Sequence, residues 1–232
     1  MAIPVHRLAQ ATAVALQRWR DANPNCATGD DPRSSDNGLL LLFHGSLAHA
    51  ADYAWQNAGR TLVDKTYLRI LFSGAALDYQ GLSADELAAR LDGFIREQLV
   101  PRWQALQENA DDALRGRLIE ALQVALFGER GSGDAASQLL FWLCPRLSLH
   151  PQGGARARGL ELLANGQLGL DSSDYQHACD ALLLEMPLLP APRQFAGDSD
   201  QQCRVRQLIE NSDWWRRRVL AEWLDQLGRS PA

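Results

Sequence analysis

The side chains best equipped for chemistry in this chain are scattered rather than gathered. His44, His49 and Asp52 lie in one short stretch. On a helix His49 and Asp52, three apart, share a face, whereas His44 and His49, five apart, diverge. Helical zinc sites set two histidines four apart, so no metal site is expected from this stretch alone. His177 is a further candidate. Convergence of His44, His49 and His177 in space would suit a helical enzyme built around a polar pocket. Cys26, Cys144, Cys179 and Cys203 form no CxxC pair and match no zinc spacing with the histidines, so they read as reduced, mostly buried thiols. Neither Gly45-Ser46 nor Phe72-Ser73-Gly74 is a GxSxG nucleophile elbow. The pairs Asp30-Asp31 and Asp111-Asp112 sit in loops or at helix starts, where negative charge meets the positive helix end. Gly131-Ser132-Gly133-Asp134 could expose backbone N–H groups to an anion, but no lysine follows, and it reads as a loop and cap. His150-Pro151-Gln152-Gly153-Gly154 shows no partner at a fixed spacing. No catalytic residue, metal or cofactor is therefore expected.

Leu47-Ala48-His49, with Ala54 and Gly59 following, resembles the phosphorylated helix of histidine phosphotransfer domains. The resemblance covers only that segment. It implies a signalling module in which an exposed His49, on a four-helix bundle, exchanges phosphate with a response-regulator aspartate. The chain departs from that family just after the histidine, where its lysine and glycine are replaced by Asp52 and Tyr53. An aspartate there repels an incoming phosphoryl group, and the tyrosine crowds it.

The densest unusual chemistry is C-terminal: Asp213-Trp214-Trp215-Arg216-Arg217-Arg218, then Trp223. Trp215, Val219, Trp223 and Leu227 recur every four residues and form a stripe suited to docking on the body of the protein. Trp214 is turned about 100° from Trp215 on an ideal helix and cannot fully share that stripe. Arg217 and Arg218 follow it at three and four positions, within reach of its ring for a cation–π contact. Trp214, Arg217 and Arg218 are accordingly the predicted partner-binding residues, an aromatic anchor with a basic rim. The structural alternative is a helix that simply covers the core.

These residues must be positioned by helices. Leu87, Leu91, Ile95 and Leu99, and again Leu114, Leu118, Leu122 and Leu126, return to one face every four residues. No segment shows a comparably long period-two alternation. Helices are predicted over about 5–21, 38–58 and 61–77, then 83–99 from a Ser83/Glu86 capping box, with a kink or a new start at Pro101. Others follow over about 112–127, 134–144, 155–165, 172–185 and 200–227, the last interrupted at Asn211-Ser212. The fold expected is all-α, an irregular multi-helix bundle of about eight to ten helices. One helical domain should span 1–232, with a mobile loop at 25–37. A Pro-rich connector at 186–199 leads to the C-terminal segment 200–227. No internal repeat points to a solenoid.

Composition bounds the function. In 232 residues, 46% hydrophobic and 22% charged, the chain can bury a proper core. Its net charge of −5 argues against general nucleic-acid binding. Lys65 is the sole lysine, an arginine bias that points to a GC-rich bacterial genome. The N-terminus has no long apolar run and the longest elsewhere, 139–144, is too short to cross a bilayer, so a cytoplasmic location without a membrane partner is expected. The leading expectation is a non-catalytic protein-binding role: adaptor, chaperone-like, immunity or regulatory protein.

Overall fold

The computed structural model of the protein describes residues 5–22, 63–75, 77–109, 112–129, 131–144, 149–164 and 172–189, the positions 203 and 207, and 210–229. Every regular element among them is helical. The chain is an all-α, irregular multi-helix bundle, with nine α-helices among the described residues. They are α1 (Val5–Ala22), α2 (Lys65–Gly74), α3 (Ala84–Phe94), α4 (Trp103–Asn109) and α5 (Asp112–Phe127). α6 (Gly133–Leu143), α7 (Gly154–Leu163), α8 (Ser172–Glu185) and α9 (Trp214–Arg229) follow. The expected helix at 38–58 and the loop at 25–37 lie outside the described residues, as does 190–199 of the connector.

α6 organises the bundle. Every residue from Ala135 to Cys144 is buried, so this short helix has no solvent face and needs cover on all sides. α2 and α5 pack directly against it. The two leucine stripes behave as their spacing requires: Leu87, Leu91, Ile95 and Leu99 are fully enclosed, and so are Leu118, Leu122 and Leu126. One continuous apolar cluster runs from Leu8 in α1 to Leu224 in α9. On α1 the buried face is Leu8, Ala11 and Ala15. Thr12 is half-buried and returns its hydroxyl to the Leu8 carbonyl at 2.7 Å.

Local signals set the helix ends. Ser83 Oγ accepts the Glu86 N–H at 3.2 Å, as the capping box predicts, but Glu86 pairs instead with Arg90 at 2.6 Å. Arg90 in turn donates to the Leu126 carbonyl, closing the end of α5. Pro101 does interrupt its helix: α3 passes into a π-helical turn (Ile95–Leu99) and a 3-10 turn (Val100–Arg102) before α4 begins. Proline has no N–H to offer the preceding turn. Arg102 Nη1 supplies the missing donor, reaching the Glu97 and Gln98 carbonyls at 3.4 and 2.9 Å. α5 stops at Gly128, whose φ of +75° only glycine adopts without strain. The predicted interruption in the C-terminal segment falls at Asp213, φ +51°, between helical residues 210–212 and α9.

α7 and α9 make the tightest crossing. A Cβ built on Gly228 would collide with the Ala155 carbonyl oxygen, and one on Gly159 with that of Leu224. The two backbones touch because these positions lack side chains. Gly116, inside α5, has nothing within 4 Å of the same construction. Gly228→Ala should therefore lower the stability by about 1–3 kcal/mol through overpacking. Gly116→Ala should raise it by up to about 1 kcal/mol through helix propensity. Urea unfolding of the two variants beside the wild type checks this opposition in sign.

Candidate functional site

Ahead of α7, residues 149–153 run through the interior without regular structure. Leu149, His150, Pro151 and Gly153 are buried, so the polar backbone of this segment must find partners inside the protein. Side chains of α6 and α8 supply them. The His150 N–H donates to Gln176 Oε1 at 2.7 Å, and Gln176 Nε2 donates to the His150 carbonyl at 2.8 Å. The Tyr175 hydroxyl donates to the Pro151 carbonyl at 3.0 Å, and the Gln152 N–H reaches Ser137 Oγ at 2.9 Å. The Gly154 N–H ends on Asp134 Oδ2 at 2.7 Å, and Arg156 Nη1 donates back to the Gln152 carbonyl at 3.2 Å. In effect the Gln176 amide pairs with residue 150 as a neighbouring strand would.

This arrangement delivers the His150 ring to a charged pair. Its Nε2 lies 2.8 Å from Asp180 Oδ1 on α8, and Arg217 Nη1 on α9 lies 2.8 Å from the same oxygen. Arg217 Nη1 also makes a short contact with His150 Nε2. The imidazole is 1% exposed, whereas Asp180 is 38% exposed. Burial lowers the His150 pKa to about 4; the hydrogen bond to Asp180 opposes that shift, while the charges of Arg217 and Arg115 add to it. Asp180 feels the opposite balance: partial burial works against its ionisation, but hydrogen bonds from His150 and Arg217 outweigh it and hold the carboxyl near 2. At neutral pH the cluster is thus a neutral imidazole beside an ionised Asp–Arg pair.

Such a cluster is poorly suited to catalysis. An imidazole held this low is a weak base at neutral pH. The nearest potential nucleophile, Cys179, is buried and its thiol is pushed up to about 12. Cys144 is buried and raised as well, and burial raises Tyr175. Among the described residues no group of three or more His, Cys, Asp or Glu could hold a metal ion.

The predicted partner-binding residues are placed differently from expectation. Trp214 is 3% exposed, and Arg217 and Arg218 are buried with it. The Trp214 ring stacks on Phe141 (centroids 5.5 Å apart, planes at 12°) and meets Trp142 edge-on at 5.1 Å. The expectation of a solvent-facing anchor is corrected: α6 is buried on every side from Ala135 to Cys144, and Trp214 is part of its cover. The arginines are absorbed too. Arg218 lies over the Trp142 ring at 5.5 Å. Arg217 pairs with Asp180, and Arg216 donates to the Leu183 and Met186 carbonyls, closing the end of α8.

His177 is exposed and pairs with Asp112 at 2.9 Å. His44 and His49 lie outside the described residues, so their convergence with His177, and the phosphotransfer role of His49, concern positions the structure does not describe. His150 had no sequence signal of its own. A faint one existed in α8, where Tyr175, Gln176 and Cys179 occupy the same buried face as Leu182 and Leu183. Polar groups on a buried helix face demand partners. Comparison with known proteins finds no matching family model, no similar curated protein and no similar solved structure.

Two outcomes follow from this geometry. Trp214→Ala should cost about 3–5 kcal/mol of folding stability, as expected for removing an enclosed indole, and thermal unfolding reads it. His150 has a folded-state pKa below its unfolded value, so the unfolded chain binds the extra proton. Stability is complete above about pH 6.5 and falls toward about pH 4, by about 3 kcal/mol for a shift of this size. In His150→Phe, denaturant midpoints measured across that window should lose this part of the slope.

Proposed function

We propose that the protein is a non-catalytic protein-binding module, of the adaptor, chaperone-like, immunity or regulatory kind. Its docking surface is placed at the end of α8. The observation that carries this reading is the exposure of Leu184 and Leu188, at 87% and 85%. Leu184 stands in the last turn of α8 and Leu188 just beyond it, while Leu182, Leu183 and Met186 are buried. Isolated exposed leucines are ordinary. Here two nearly fully exposed leucines fall within five residues, together with the exposed Glu185 and Pro187, a short stretch whose apolar side chains a partner can cover.

Chemical economy supports the same reading. The thiols of Cys144 and Cys179, the Tyr175 hydroxyl and the His150 ring are enclosed, and Arg216, Arg217 and Arg218 are engaged in packing. At the end of α8, Leu184 and Leu188 offer apolar contact beside the exposed Glu185. No described helix is long and apolar enough to cross a membrane.

The test compares the intact protein with the double variant Leu184→Glu/Leu188→Glu as bait in extracts of the native cells. Both substitutions are at the surface and should leave the circular dichroism spectrum and melting temperature within experimental error. A partner retained by the wild type should be lost, at least tenfold, from the variant. Equal recovery by both baits refutes this surface as the docking site.

A further inference from the structure

The contact of His150 with Asp180 and Arg217 cannot be satisfied by one protonation state. If Nε2 carries its lone pair, it accepts from Arg217 Nη1 but turns that lone pair toward Asp180 Oδ1. If Nε2 carries a proton, it donates to Asp180 Oδ1 but confronts the Arg217 N–H groups. The Nδ1 atom is buried without a hydrogen-bond partner and relieves neither case. The site therefore has two alternative pairings, one for each neutral tautomer, and protonation of the ring removes the pairing with Arg217 and leaves only the N–H that faces Asp180.

We propose that this cluster is an acid-operated latch joining the buried 149–153 segment, α8 and α9, in which proton uptake by His150 exchanges its hydrogen bond from Arg217 to Asp180 and drives Arg217 out of the closed seam. The proton comes from solvent and remains on the imidazole; no bond other than hydrogen bonds is made or broken. Three cationic groups then face one another: the imidazolium, Arg217 from α9 and Arg115 from α5. Against them stand Asp180 from α8 and Asp112, which is already held by Arg115 at 2.7 Å and by His177. Tyr175 and Cys179, beside them on α8, are held neutral. One positive charge is left in excess around a ring with no access to water. A buried charge without a counter-ion is expensive enough that the seam opens to hydrate it.

The route for opening is already marked. Asp180 is the partly exposed edge of the cluster, and Arg217 lies in the first turn of α9, immediately after the helix break at Asp213. The opening is local because the leucine stripes of α3 and α5 contain no titrating group.

The test follows the backbone amides and the His150 ring of the full chain by NMR from pH 7 to 3.5, with far-UV circular dichroism recorded in parallel. The latch predicts that amide resonances of 149, 150, 152 and 153 and of 214–218 shift together with the His150 ring titration while the helical signal persists. In His150→Gln, which keeps a neutral polar side chain, those shifts should disappear. Simultaneous loss of circular dichroism and amide dispersion in the wild type would overturn the latch in favour of general acid unfolding. The same amide shifts in His150→Gln would overturn it too. Should that variant fail to fold, the wild type decides alone: His150 titrating with no response at the Arg217 amide sinks the proposal.

Discussion

A helix enclosed all round must be covered on every side, and α6 is such a helix. From Ala135 to Cys144 each residue is enclosed, so the placement of the surrounding elements is a response to that requirement. α2 and α5 pack against it, and the aromatic start of α9 completes the cover through Trp214 on Phe141 and Trp142. Tryptophan suits this duty because a large flat ring covers much apolar surface at small rotamer cost. The same demand explains the three arginines that follow it. Once the first turn of α9 is buried, its long side chains must take their charges somewhere. Each finds a different outlet: carbonyls at the end of α8, the Asp180 carboxylate, and the face of Trp142.

The second constraint concerns the backbone. Residues 149–153 lie in the interior ahead of α7, and an interior backbone without helix or strand pairing is costly unless side chains pair with it. Gln176, Tyr175, Ser137 and Asp134 provide that pairing. The His150 cluster is a consequence of this crossing. Because Gln176 pins residue 150 at its backbone, the imidazole has little freedom, and it is held against an ion pair that suits neither of its neutral forms. Stability and pH sensitivity arise at one place for one reason.

The candidate docking surface lies at the end of the helix that performs most of this pairing. α8 turns Tyr175 and Gln176 inward among Cys179, Leu182 and Leu183, and exposes Leu184 among Asp174, His177 and Glu185. Two polar groups on the buried face and one apolar side chain on the exposed one depart from the ordinary division of an amphipathic helix. The buried crossing explains the first departure, and the second is what motivates a partner.

Much of the fold was legible in the sequence, and the reason is local. A four-residue leucine period, a serine before Glu86, a glycine at 128 and a proline at 101 act over one or two turns. Helix boundaries at 5–22, 112–127 and 172–185 could therefore be read closely from short windows. The uses of Trp214, Arg217 and His150 were not legible in that way. Whether an indole faces water or Phe141 depends on a helix some seventy residues earlier, and the bond from His150 to Arg217 spans 67 positions. Burial of a polar group is decided by what packs over it, and that information exists only once the helices have met. Sequence determined which segments coil and which faces are apolar; tertiary structure alone decided which charges were left inside and what they had to grip.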